Sequence, residues 1–127
     1  MTWAKTLMSP SPEAVKGQIA RELVRVHEDS YGETAYNVEV ALHETFVAVV
    51  MDLELTPAEV TLIGSGYSDS VKESRETYQA AIGDTYIAIV ERATGRRVTS
   101  FASRSVIEGD RPWAMELFRL EGRANDR

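Results

Sequence analysis

His43 and Glu44 are neighbouring residues whose side chains could do acid–base or metal chemistry. An imidazole beside a carboxylate can act as a general base or supply half of a metal site. A metal site needs three or four converging ligands, whereas the chain has two histidines and no cysteine. We therefore interpret the pair as an exposed polar turn. His27 lies near the end of a predicted helix, where the helix dipole favours a cation, and is expected to be structural.

The glycines and serines between residues 64 and 70 match no catalytic pattern. Gly64-Ser-Gly66 superficially resembles a phosphate-binding loop, but it lacks the following Gly-Lys-Ser/Thr and comes after a helical stretch instead of a strand. Ser65, Ser68 and Ser70 lie in no Gly-x-Ser-x-Gly elbow. The sequence therefore predicts a helix break here and no serine nucleophile.

Four arginines near the end of a predicted helix are the strongest candidates for a binding role. They are Arg92, Arg96, Arg97 and Arg104. Guanidinium groups in this arrangement could grip an anion, a phosphate or an acidic partner. Cationic residues near a helix C-terminus are also favoured by the helix dipole alone. Anion or partner contact and simple capping of the helix both remain open at this point.

Three glutamates keep an enzyme open as a further class of function. They are Glu39, Glu44 and Glu116, whose positions in space the sequence does not define. A carboxylate or histidine with a strongly shifted pKa inside a pocket would favour catalysis. Without such a group we expect no enzymatic activity.

Composition limits the classes of protein that the chain can belong to. Its 127 residues fit one domain, expected over 13–122 between tails at 1–12 and 123–127. A net charge of -6 argues against a nucleic-acid binder that works through a basic surface. The absence of cysteine excludes disulfides, thiolate metal sites and thiol nucleophiles. With no signal peptide and no apolar stretch of about 20 residues, we expect a soluble cytoplasmic protein without cofactors.

The segment from Leu55 to Glu59 marks the point where a strand gives way to a helix. Thr56 can cap that helix, and Pro57 occupies the first helical position, where a missing N–H costs nothing. Glu59 lies three residues after the cap, within reach of its backbone N–H. These three residues are predicted to form a structural helix cap.

Hydrophobic spacing predicts the remaining elements. Apolar residues three or four apart predict a helix over 13–29, a short helix after the cap, and one long helix from about 67 to 94. Alternating apolar residues predict two hairpins, over 38–53 and 98–120. The order α-ββ-αα-ββ predicts an α+β fold of two layers, a four-stranded antiparallel sheet with its helices packed on one face.

The other face of this sheet is expected to stay open within one chain. The strand over 46–53 is apolar on both sides, so we expect it to lie centrally or to be covered on both faces. The residues predicted to supply the open apolar surface are Val47, Val49, Met51 and Leu53, with Trp113. A symmetric dimer is the simplest cover for such a surface.

Several short strings lie along this plan between about Lys16 and Leu120. They are Lys-Gly-Gln-Ile from Lys16, Leu-Thr-Pro-Ala-Glu from Leu55, the helix segment Val71–Arg75, and Glu-Arg-Ala-Thr-Gly from Glu91. Together they resemble a small bacterial family of domains of unknown function, called MpsC-like after a sodium-translocating, membrane-potential-generating system. The chain reads Ser30-Tyr-Gly-Glu33 where that family tends to have a Gly-Arg-Gly-Pro turn. The resemblance implies a fold and an association with ion or bicarbonate transport systems at the membrane.

Two hypotheses about function follow from these patterns. The first is a non-enzymatic, dimeric interaction or regulatory protein, accessory to a membrane ion or bicarbonate transport system. Its partners would be a second copy of the chain and a membrane transport protein, without nucleic acid. The alternative is a small-molecule or anion-binding sensor that uses a pocket between the long helix and the sheet. An internal pocket with converging polar groups would favour the sensor.

Overall fold

The computed structural model describes residues 11–32 and 35–122, in which helical segments alternate with hairpins. In chain order the elements are α1 (Pro12–Tyr31), β1 (Ala35–Leu42), β2 (Phe46–Leu53), α2 (Pro57–Gly64), α3 (Ser68–Ala81), α4 (Gly83–Thr94), β3 (Val98–Val106) and β4 (Trp113–Leu120). The predicted α+β class with an antiparallel sheet is confirmed. Apart from Ser11 and Pro12, the predicted tails lie outside the described residues.

Helix α1 begins at a serine cap and buries one face. The Ser11 hydroxyl accepts a hydrogen bond from the Ala14 N–H, and proline occupies the first turn. Buried residues recur every four positions along the helix, at Val15, Ile19, Leu23 and His27. This face packs mainly on β1 and α4. The helix ends before Gly32, whose φ of 80° is open to glycine without strain.

The four strands form one antiparallel sheet in the order β1-β2-β4-β3. The two hairpins meet at their second strands, with Val49 of β2 opposite Glu116 of β4. Both β2 and β4 are therefore central, and the apolar character of β2 on both faces agrees with this position.

Each edge strand of the sheet contains an irregularity in its pairing. In β1 the register shifts between Tyr36 and Glu39, where Asn37 has a φ of 49°. In β3 the register shifts between Val98 and Ser100. Bulges of this kind twist an edge strand and interrupt its row of backbone hydrogen-bonding groups.

The inner face of the sheet, covered by the helices, forms the hydrophobic core. From the central strands it receives Val47, Val49, Met51, Leu53, Ala114, Phe118 and Leu120. Helices α1 and α4 pack on these residues through side chains such as Leu23 and Val90. The prediction that the inward residues of β2 supply the open surface is wrong, because all four are at most 1% exposed. Trp113 lies on the opposite face, since it alternates with buried Ala114.

The predicted long helix over 67–94 is two helices, α3 and α4. They separate at Ile82, whose φ of -95° and ψ of 2° lie outside the helical range. The break lets α3 pack on β3 while α4 packs on α1. Gly83 begins α4 against the Phe101 ring, where an added Cβ would lie 3.2 Å from Cε2. Apolar spacing continues through the break, and periodicity therefore predicts a single helix.

Candidate functional site

The face of the sheet turned away from the helices, called the outer face here, is apolar along its middle. Its apolar members are Phe46, Ala48, Val50, Val106, Trp113, Met115 and Leu117. Val50 is 36% exposed, and within the described part of the chain the helices lie over the inner face. A contiguous apolar surface of this kind is a candidate interaction site.

Two opposite charges flank the outer face. One row across the sheet runs from Glu39 on β1 through Val50 and Met115 to Arg104 on β3. Both charged residues are exposed. Three strand spacings, about 14 Å, separate their backbones, so the carboxylate and the guanidinium do not pair within one chain. The outer face therefore suits a partner with the opposite order of charges.

Arg75 on α3 and Glu59 on α2 form a buried two-point ion pair. Arg75 Nε and Nη2 donate to Glu59 Oε2 and Oε1 at 2.6 and 2.7 Å, and the arginine side chain is 1% exposed. Glu59 Oε1 also accepts from the Thr56 backbone N–H at 2.9 Å, while Thr56 Oγ1 accepts from the Glu59 N–H. With Pro57 at the first helical position, this is a complete capping box. The Glu59 carboxylate therefore both caps α2 and binds Arg75 of α3.

Aromatic side chains surround this ion pair. The Arg75 guanidinium carbon lies 4.4 Å from the centroid of the Tyr31 ring. Tyr31 contacts His27 and Tyr78, with ring centroids 4.9 and 5.3 Å apart. Burial, with the Arg75 charge second, lowers the pKa of His27 to about 4. His27 is therefore a neutral core residue at neutral pH.

The charge state of Glu59 follows from its donors. Burial alone would raise the pKa of this carboxyl, but hydrogen bonds from Arg75 and from the Thr56 backbone hold it below its usual value. At neutral pH the pair is therefore an arginine cation against a carboxylate anion. The role of this ion pair is structural, because Arg75 and Glu59 bind each other and Glu59 also caps the helix.

A second polar group lies buried between the helices and the inner faces of β3 and β4. This buried polar cluster consists of Gln79, Tyr86, Ser103, Ser105 and Glu116. Each member has at least one buried side-chain nitrogen or oxygen without a hydrogen-bond partner among the described residues. Native cores satisfy the large majority of such atoms, and where several remain, buried water, an ion or a bound proton is the usual explanation.

Glu116 is the charged member of the buried polar cluster. It lies opposite Ser103 in the β3–β4 pairing. Burial raises the pKa of Glu116 to about 8, and the nearby Ser103 hydroxyl lowers it only in part, without hydrogen-bonding geometry. Burial and then the Glu116 charge raise the pKa of Tyr86. At neutral pH most Glu116 side chains therefore carry a proton.

The four arginines predicted as a contact surface lie at three separate places. Arg92 Nη2 donates to Glu22 Oε1 of α1 at 2.6 Å. Arg96 and Arg97 follow α4 and line one small hollow together. Arg104 stands on the outer face of β3. The fold thus does not direct the four guanidinium groups at a single anion, and Arg104 is the member that borders the open apolar surface.

The predicted acid–base candidates do not converge either. His43 stacks on Phe46 with ring centroids 4.6 Å apart. Glu39, Glu44 and Glu116 lie on the outer face, in the β1–β2 turn and beneath the helices, respectively. The serines at 65, 68 and 70 lie around the junction of α2 and α3. Across residues 11–32 and 35–122, no three histidine, aspartate or glutamate side chains are placed to hold a metal ion.

Sequence reasoning did not place Arg75, Gln79 or Glu116 in the core, although it named Glu116 as a candidate carboxylate. Val71, Arg75 and Gln79 recur every four positions and form the buried stripe of α3. Glu116 shares the inward side of β4 with Phe118. The spacing of these residues was the available signal, but a charged residue in such a position is ordinarily assigned to solvent.

Together, the fold and the outer face define a two-layer α+β domain in which one sheet surface is not covered by any of the described helices. A family model described as "Na+-translocating membrane potential-generating system (MpsC)" matches residues 11–121. The chain therefore belongs to the MpsC family, as the resemblance of its short strings predicts. No match was found among curated proteins or among solved structures. Of the helices described, none combines the length and the apolar character needed to cross a bilayer.

Proposed function

We propose that the chain is a non-enzymatic, homodimeric interaction or regulatory protein, accessory to a membrane ion or bicarbonate transport system and acting from the cytoplasm. The observation that carries the proposal is the apolar outer face of the sheet, flanked by Glu39 and Arg104. The family description, which names a Na+-translocating system, supports the connection to membrane transport.

A second copy of the chain is the partner that fits the outer face best. Two such sheets stacked face to face, with strands within about 30° of each other, would bury both apolar surfaces. A two-fold axis parallel to the strands, between β2 and β4, places Glu39 opposite Arg104 of the partner subunit. A two-fold axis perpendicular to the strands would instead place Glu39 opposite Glu39 of the partner subunit. Because like charges disfavour contact, the charges select the first axis.

The same axis also pairs the other end of the outer face. Phe46 and Arg119 are neighbours across β2 and β4. Rotation about an axis between these strands places Phe46 over Arg119 of the partner subunit, where a guanidinium can lie on the ring. In this arrangement the row that contains Glu39 and Arg104 and the row that contains Phe46 and Arg119 are each complementary to their own copy.

The absence of catalysis is supported by where the perturbed groups lie. His27 and Glu116 have the strongly shifted pKa values that catalytic residues often show. Both side chains are 0% exposed. Neither is therefore presented to a dissolved substrate, and their shifts follow from burial.

Light scattering of the purified protein at micromolar concentration tests the dimer. The wild-type chain should have twice its mass of 14.1 kDa. Val50→Asp should give monomers with unchanged secondary structure, because it places a carboxylate in the middle of the buried contact. Val60→Asp is the matched control, since it changes a 56% exposed valine on α2 and should leave the dimer intact.

A charge exchange tests the axis. Glu39→Arg should weaken the dimer by opposing two cations, and adding Arg104→Glu should restore it. A monomeric wild type, or a Val50→Asp variant that stays dimeric, would overturn the dimer. If removal of residues 1–10 turns a monomer into a dimer, that segment covers the outer face and the proposal fails.

The transport connection needs a separate measurement in cells. Deletion of the gene should reduce the sodium-dependent part of the membrane potential, measured with a voltage-sensitive dye. The wild-type gene and Val60→Asp should restore it, whereas Val50→Asp should not. An unchanged potential after deletion would contradict the transport role and leave the dimer untouched.

The buried polar cluster supports the second candidate only in part, as a small-molecule sensor and not as an anion-binding one. Its members lie between the helices and the sheet, where the sensor hypothesis expects a pocket. Its single charged group is a carboxylate, however, which favours a cation over an anion.

A further inference from the structure

The buried polar cluster contains a carboxylate without a counter-charge. Glu116 is 0% exposed, and neither of its oxygens has a hydrogen-bond partner among the described residues. The other buried basic groups of residues 11–32 and 35–122 are Arg75, which is paired with Glu59, and His27, which is neutral at neutral pH. An isolated carboxylate in a core is costly, so it must hold a proton or meet a cation.

Oxygen donors from three elements belong to the same buried polar cluster as Glu116. Ser103 lies directly opposite it on β3. Tyr86 on α4 is close enough for its pKa to respond to the carboxylate, and Gln79 on α3 is close enough to affect Tyr86. Carboxylate, hydroxyl and amide oxygens are the donors that hard cations prefer.

The charge and the dense packing of a core both favour a small monovalent ion. One carboxylate neutralises one positive charge, whereas divalent sites gather several acidic ligands. No group of three acidic or histidine side chains that could hold a metal ion exists in the described part of the chain. A tightly packed interior admits a bare ion more readily than an organic cation.

We propose that Glu116, together with Ser103, Gln79 and Tyr86, forms a buried site for a monovalent cation of the size of sodium. Binding exchanges one ion for one proton: the neutral carboxyl releases its proton to solvent, and the resulting carboxylate holds the cation. The core stays electrically neutral in both states. This site is independent of the outer face and of the dimer.

Proton competition makes binding depend on pH. Burial raises the pKa of Glu116 to about 8, so the affinity should rise with pH and level off above that value. At about pH 6 binding should be roughly a hundredfold weaker than at the plateau. The neighbouring titratable groups are Tyr86 on α4, Arg75 and Glu76 on α3, and His27 and Tyr31 on α1. The pKa of His27 is lowered to about 4, and those of Tyr31 and Tyr86 are raised above the usual 10.0, so none of these three groups changes its charge between pH 6 and 9.

Thermal melting in matched salts tests the site on the whole chain. At about pH 9 and roughly 0.2 M salt, the melting temperature in sodium chloride should exceed that in choline chloride by roughly 5 °C. The difference should disappear at about pH 6, where protons occupy the carboxyl. Potassium chloride should give a smaller shift, and a larger one would overturn the assignment to an ion of sodium size.

Three variants assign the effect to the cluster. Glu116→Gln should remove the sodium shift at every pH, and Ser103→Ala should reduce it. Glu73→Gln, which changes an exposed carboxylate on α3, is the matched control and should keep the full shift. If Glu116→Gln does not fold, Ser103→Ala decides the question, with sodium-23 line broadening as the direct readout of bound ion. No sodium shift in the wild type at about pH 9, or an undiminished shift in Ser103→Ala, would overturn the proposal.

Discussion

Arg75 and Glu59, sixteen residues apart in the chain, form a two-point ion pair that fastens α3 to the first turn of α2. The same carboxylate accepts the Thr56 backbone N–H. Helix α2 has no fully buried residue of its own, so this polar contact contributes to its position where apolar burial is slight.

Removal of Arg75 should therefore destabilise the protein strongly. Arg75→Met should lower the free energy of unfolding by about 3 kcal/mol, because it leaves the Glu59 carboxylate partly buried without its cation. Urea denaturation measures the change. Arg92→Met is the matched control, since its ion pair with Glu22 is largely exposed and should contribute less than about 1 kcal/mol. Equal effects of the two substitutions would contradict this account.

The cap of α2 should be separable from the ion pair. Thr56→Ala should cost about 1 kcal/mol, since the Glu59 N–H loses its side-chain acceptor. Thr61→Ala is the control, because the Thr61 hydroxyl only donates to the Pro57 carbonyl one turn earlier. An unchanged denaturation midpoint for Thr56→Ala would show that the capping box is not needed to hold α2.

Stability should fall as pH rises from about 6.5 to about 8. Folded Glu116 keeps its proton to about pH 8, whereas the unfolded carboxyl releases it near its ordinary value of 4.5. The folded state therefore binds more protons in that interval, and the free energy of unfolding decreases with pH. The contribution is complete at low pH and is lost as pH rises through about 8.

His27 should oppose this trend in acid. Its pKa is lowered from 6.5 to about 4, so the folded state binds fewer protons than the unfolded state between those values. Its contribution grows as pH rises from about 4 and is complete above 6.5. Between 4.5 and 6.5 the contributions of Glu116 and His27 offset each other, so stability should stay level there and fall only above about 6.5. Denaturation across pH in choline buffers measures the profile. Glu116→Gln should abolish the decline above about pH 6.5, and an unaltered decline in this variant would assign it to another group.

The contact between α4 and β3 should make Gly83 sensitive to a methyl group. Gly83→Ala should cost about 1 kcal/mol, because the new Cβ would lie 3.2 and 3.3 Å from two Phe101 ring carbons. Gly64→Ala is the matched control at the end of α2, where nothing lies within 4 Å of the added atom. It should be neutral or stabilise the protein by about 0.5 kcal/mol through helix propensity. A neutral Gly83→Ala would mean that the ring moves aside freely.

Local patterns predicted α1, the cap of α2 and both hairpins, because caps, turns and apolar spacing act within a few residues. The break at Ile82 escaped prediction, since the apolar spacing runs through it. The two sides of β2 are both apolar, so alternation could not show which side meets the helices. The pairing of Arg75 with Glu59 depends on the packing of α3 against α2, which no local pattern encodes.

The irregular edges of the sheet set a limit on how large an assembly can become. A straight, unpaired edge strand can form backbone hydrogen bonds with an edge strand of another chain, and repetition of that pairing builds an open-ended fibre. Here β1 twists at Asn37 and β3 shifts after Val98, so both borders discourage such growth. When two chains associate through their outer faces, both faces are buried and no such surface is left for a third chain. The proposed assembly therefore stops at the dimer, and a higher protein concentration should increase the dimer fraction without forming filaments.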